Sequence, residues 1–107
     1  MKRVVDGKAY NTETAERIAV ARETYEKGFR EWISETVLYR TPKGAWFLVE
    51  SEWPENDYGE REIRATFKAL NGPESGESSP LDAAIAWVSR HQCDVVKPDY
   101  FPSFEDA

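Results

Sequence analysis

The chain has one cysteine, Cys93, and one histidine, His91, among 107 residues. A single thiol cannot close an internal disulfide, and the pair falls short of the three or four ligands that a metal site needs. Nor do they suit nucleophilic catalysis. A Cys–His couple is normally brought together from separate elements with a third group to orient it, whereas these are near neighbours at the end of a helical pattern. No apolar run approaches the roughly 18 to 20 residues of a membrane helix. The basic start Met1-Lys2-Arg3 is not followed by the apolar segment of a secretory signal, so a cytoplasmic location is expected. Glycine is sparse. Gly72-Pro73 and Gly76 lie in a polar stretch without the strand-to-helix spacing or the lysine of a phosphate-binding loop. The expectation is a protein without catalytic residues, metal or cofactor that acts by binding.

What is present argues for an ordered globule. Forty per cent of the residues are apolar, with four Trp, five Tyr and five Phe, so aromatic side chains supply much of the core. The length suits one compact domain over residues 1–107, with 98–107 as a candidate flexible tail. Its Asp99-Tyr100-Phe101-Pro102-Ser103-Phe104 run mixes aromatics with acids, which suits either packing onto the body or presentation to a partner.

Residues 32–53 read as a β-hairpin around Thr41-Pro42-Lys43-Gly44. In its first strand Ile33, Glu35, Val37 and Tyr39 share one face, opposite Trp32, Ser34, Thr36 and Leu38. In its second, Phe47, Val49 and Trp53 alternate with Trp46, Leu48, Glu50 and Glu52. Ile63, Ala65, Phe67 and Ala69 alternate with charged and polar residues and predict a third strand of the meander. Val4-Val5 before Asp6-Gly7 predicts a short strand or a small hairpin, and Val95-Val96 a short edge strand.

Two helices are expected. Asn11-Thr12-Glu13-Thr14 offers caps, and Ala15, Ile18, Ala19 and Tyr25 recur at helical spacing, predicting a first helix from about Thr12 to Glu26 that Gly28 ends. Ser79-Pro80-Leu81-Asp82 has the cap, N1 proline and early acid of a second, whose buried stripe is Leu81, Ala84, Ile85 and Val88 with Trp87 beside it. The fold class is therefore α+β: an antiparallel meander of three to four strands packed against two helices.

Net charge is −6 and unevenly spread, with +1 over residues 1–40 and −7 over residues 41–107. Such a surface repels phosphate backbones, so a basic protein or ribonucleoprotein partner is favoured over direct contact with nucleic acid or membrane. The candidate surface is Glu50, Glu52, Glu55, Asp57, Glu60 and Glu62, six acids in thirteen residues opposed by Arg61, with Trp53 and Tyr58 among them. Carboxylates roughly 5 to 7 Å apart at a hairpin end approximate the spacing of backbone phosphates and so mimic DNA. Lys2, Arg3, Lys8, Arg40 and Lys43, with an exposed Trp46, define the alternative: a small nucleic-acid-binding regulator.

The segments V-V-D-G-K-A-Y-N-T-E-T-A-E-R-I-A (residues 4–19) and L-Y-R-T-P-K-G-A-W-F-L (residues 38–48) resemble an N-terminal module of small proteins carried by phages, plasmids and other bacterial mobile elements. In that module a V-x-D-G-K-x-Y-x-T-E-T-A segment precedes a Y-R-T-x-K-G-x-x-F-L hairpin. Some proteins of this kind are anti-CRISPR proteins. The resemblance covers about the first 50 residues and has no catalytic motif, so it transfers no functional residue. Many such proteins continue with a Gly-rich segment where this chain has the acidic stretch 50–62. The resemblance implies a mobile-element accessory protein in a bacterial host cell, acting by binding, with a CRISPR effector as a candidate target.

Overall fold

A computed structural model describes residues 1–55, 64–70, 79–91, 93–97 and 101. Their architecture is mostly β. The strands are β1 (Lys2–Val5), β2 (Lys8–Asn11), β3 (Glu16–Lys27), β4 (Arg30–Arg40), β5 (Trp46–Pro54), β6 (Arg64–Ala69) and β7 (Asp94–Val95), and α1 (Pro80–Arg90) is the one helix among the described residues. Strands β1 and β2 form a separate hairpin, and the rest form a five-stranded antiparallel sheet in the order β6-β5-β4-β3-β7. This corrects the expected three- to four-stranded sheet under two helices.

The correction centres on residues 12–26, which form no helix. Residues 16–27 are a twelve-residue strand that pairs along its length with β4 and turns into it through Gly28-Phe29. A β-bulge between Arg17 and Ala19 disguises the period of two. It places Ile18 and Ala19, adjacent in sequence and both fully buried, in the same core cluster. That doublet, with Ala15 and Tyr25 at multiples of a turn, imitates a helical stripe. Beyond the bulge Val20, Arg22, Thr24 and Glu26 alternate with Ala21, Glu23, Tyr25 and Lys27, and the long partner strand decides in favour of the sheet. Gly28 is the first residue of a two-residue hairpin turn, where its φ of +69° suits a type II′ turn.

Other expectations hold. Asp6 and Gly7, both at positive φ, close β1 onto β2 as a type I′ turn. The β4–β5 turn is fastened by Gly44 N–H to Thr41 C=O at 2.9 Å and Ala45 N–H to Thr41 Oγ1 at 2.9 Å. The faces of β4 and β5 alternate as the sequence predicts. Helix α1 starts where Ser79 Oγ accepts the Asp82 N–H at 3.1 Å, although its buried residues are Ala83, Ala84 and Val88, and Leu81 is exposed. Strand β7 includes Val95, while Val96 is exposed.

The core lies at one end of the sheet, on both faces. On one, α1 and Phe101 cover Ile18, Ala19, Leu38, Trp46 and Leu48. On the other, Tyr10 and Val5 of the small hairpin cover Phe47 and Val49 beside Tyr39 and Phe67. Phe47 is fully buried, with Tyr10, Tyr39 and Phe67 around it at ring centroid distances of 5.1 to 5.8 Å. The opposite end is covered by neither layer: no residue in 20–36 or 50–55 is buried. It forms an arm of β3, β4 and β5, edged by Arg64–Thr66 of β6, with exposed residues on both faces.

Candidate functional site

The arm is held by contacts between neighbouring strands. On the hairpin's side of the sheet Ile33 pairs with Trp53, and the Arg22 guanidinium donates to Glu35 Oε2 from Nε at 3.1 Å and Nη2 at 2.5 Å. The same guanidinium lies 5.7 Å from the Trp53 ring centroid. On the helix side Tyr25 pairs with Trp32, and Lys27 Nζ lies 5.7 Å from the Trp32 ring. Desolvation, followed by a hydrogen bond to Glu52, pushes the Tyr25 phenol up. Such cross-strand pairs contribute roughly 0.2–1 kcal/mol each, enough to order an arm without burying it.

Of the predicted acidic surface, Glu50 and Glu52 share the helix side, whereas Trp53 lies on the other face of β5, and Glu55 follows the strand end. Trp53 is half-buried under Arg22. Asp57, Tyr58, Glu60 and Glu62 lie outside the described residues. The structure thus divides the described part of the stretch between two faces and completes it with acids from other strands.

Glu26 stands opposite Glu31 in the β3–β4 register. Glu31 in turn accepts the Glu55 N–H on its carbonyl at 2.9 Å, and its carboxyl shares a hydrogen bond with that of Glu55. That bond, the negative charge of Glu55 and some desolvation together hold the Glu31 carboxyl above the ordinary glutamate range. Three exposed glutamates, two from β3 and β4 and one just past the end of β5, therefore form one row. Residues 22–36 and 50–55 contain seven Glu against three Arg or Lys, a net charge of −4, and Arg64 of β6 pairs with Glu52 beside them. At its tip Phe29 is completely exposed in the turn, between Lys27 and Arg30.

Sequence reasoning missed Glu26 and Glu31 because it placed Glu26 on a helix. A two-residue turn at Gly28-Phe29 fixes the register in which Glu26 meets Glu31, and that turn was the available signal.

The basic residues of the alternative reading are distributed differently from its premise. Trp46 is buried under Phe101, with ring centroids 5.8 Å apart, and the Arg40 guanidinium lies 5.9 Å from its ring, so no base can stack on it. Lys8 and Lys43 do meet: they line a cavity of about 610 Å³ between the small hairpin and the β4–β5 turn, with Tyr10, Asn11 and Pro42. His91 caps α1, its Nδ1 2.8 Å from Trp87 C=O, and its ring stacks on Trp87. Burial, then Asp94, pushes the Cys93 thiol up, which disfavours the thiolate. Among the described residues no group of His, Cys, Asp and Glu has the geometry to hold a metal, and no helix is long and apolar enough to cross a membrane.

The chain matches no protein-family model, and neither the curated proteins nor the solved structures include one that is significantly similar to it.

Proposed function

We propose that the protein is a non-enzymatic inhibitor encoded by a mobile element, which binds a basic nucleic-acid-handling protein or ribonucleoprotein complex through the acidic arm, with a CRISPR effector as the first candidate. The observation that carries this reading is the Glu26–Glu31–Glu55 row. Like charges directly opposed across strands destabilise a sheet, and among the described residues no cation forms an ion pair with Glu31 or Glu55. A positively charged partner relieves that repulsion on binding, and complementary fields speed the encounter.

The spacing adds support. Strands run about 4.7–4.9 Å apart and alternate residues on a strand about 6.6–7 Å, so the carboxylates of the row on one face, and those of Glu50 and Glu52 on the other, each repeat at distances close to those of a phosphate chain. Exposed Phe29 at the tip, with half-buried Trp32 and Trp53 behind it, supplies the apolar anchor that an acidic rim alone lacks. The resemblance of residues 4–19 and 38–48 to mobile-element proteins points to the same class of target.

The test is expression in bacteria that carry different CRISPR types, with the survival of a targeted phage as the readout. Protection against one type supports the reading and names the complex to purify; no protection across the panel counts against it.

A second reading, a nucleic-acid-binding regulator, draws on the Lys8 and Lys43 cavity. It requires binding to labelled DNA or RNA that weakens steeply with salt, and no binding at low salt removes it.

A further inference from the structure

Strand β7 pairs only with Ala19 and Val20 of β3. From Ala21 to Lys27 the outer side of β3 meets no strand among the described residues, and five of these seven residues are exposed outright. The outward half of their N–H and C=O groups forms a template for another strand. We propose that this edge pairs with the same edge of a second copy of the chain, forming a two-fold antiparallel dimer with a continuous sheet. The inference does not rest on the acidic-surface reading.

The occupant follows from charge and register. In an antiparallel ladder two opposed residues must both direct their N–H and C=O groups toward the partner or both away from it. Between identical strands the two-fold axis must therefore pass through a residue rather than between two. The segment A-R-E-T-Y-E-K has its charges placed symmetrically about the point between Thr24 and Tyr25. An axis there would set Arg22 against Lys27 and Glu23 against Glu26, and that is the arrangement the geometry forbids.

Moving the axis onto Thr24 uses all seven residues and sets Arg22 against Glu26 of the second copy, twice over. Moving it onto Tyr25 sets Glu23 against Lys27 but brings Gly28, a turn residue, into the pairing. The Thr24 register is therefore preferred. It also brings a cation to Glu26, which has no ion pair among the described residues. Arg22, already bonded to Glu35 at the strand's inner side, would stand beside Glu26 of the second copy at the open end of the row. Each copy does this for the other, as a closed two-fold interface requires.

Sedimentation equilibrium of the full chain over a wide concentration range tests the proposal. The wild type is expected to have twice the chain mass at the upper end and to dissociate on dilution. Arg22→Glu places acid against Glu26 at two symmetric positions and should weaken the dimer roughly tenfold or more. The exchange R22E/E26R restores opposite charges and should restore the dimer. Arg22 also contacts Glu35 and Trp53, so Thr24→Lys provides a second variant. It sets like charges against each other at the axis without touching those contacts, and should likewise yield monomer with unchanged circular dichroism. A wild type that stays monomeric at every concentration overturns the proposal, as does a dimer that Thr24→Lys leaves intact.

Discussion

Glu31 and Glu55 lie side by side at the open end of the β4–β5 pair, joined both through the backbone, N–H to C=O at 2.9 Å, and through their carboxyls. The contact raises the Glu31 pKa, and its consequence for stability has a definite sign. A carboxyl whose folded pKa exceeds its unfolded one stabilises the fold below the unfolded value. That contribution is lost as pH rises through the raised, folded value, because the native state must then release a proton it had kept. The thermal midpoint of the wild type should therefore fall relative to Glu31→Gln as pH rises through this window. Superimposable pH profiles would show that the carboxyls do not interact.

Phe47 is the centre of the second core cluster and has three aromatic neighbours. Phe47→Ala should cost about 3–5 kcal/mol in denaturant unfolding. A loss below about 1 kcal/mol would mean that the small hairpin does not cover that face of the sheet.

Ser79→Ala removes the acceptor for the Asp82 N–H and should cost about 1 kcal/mol. Faster exchange of the Asp82 amide would accompany it. Unchanged exchange would place the start of α1 elsewhere.

Phe29 is exposed at the arm's tip and touches none of the core. Phe29→Ser should leave stability within about 0.5 kcal/mol while weakening capture of a complex identified by the protection assay. A large loss of stability would indicate that the side chain packs inside the protein.

Much of this fold was legible because local signals and tertiary context agreed. The β4–β5 hairpin, the alternation of β6 and the cap of α1 each combine a turn or cap with a clear period, and each is where the sequence places it. Residues 12–26 were misread for a physical reason. The bulge puts Ile18 and Ala19 into the same core, and two adjacent residues buried on the same face are natural in a helix and exceptional in a strand. The error extended to the site. With β3 read as a helix, Glu26 could not face Glu31, so the acidic surface was confined to 50–62 when its described members are divided between two faces and joined by acids from β3 and β4. Trp46 shows the limit of pattern alone: alternation fixed its face, but only α1 and Phe101 decide that this face is covered.

The most direct test of the acidic arm compares phage survival in cells expressing the wild type, the triple reversal E26K/E31K/E55K and the control E13K, whose exposed Glu13 lies in the turn after β2. All three proteins should show the same circular dichroism. The wild type and E13K should protect the phage against the same CRISPR type, and the triple reversal should abolish protection. Equal protection by the triple reversal would contradict the account and place the functional surface away from the arm.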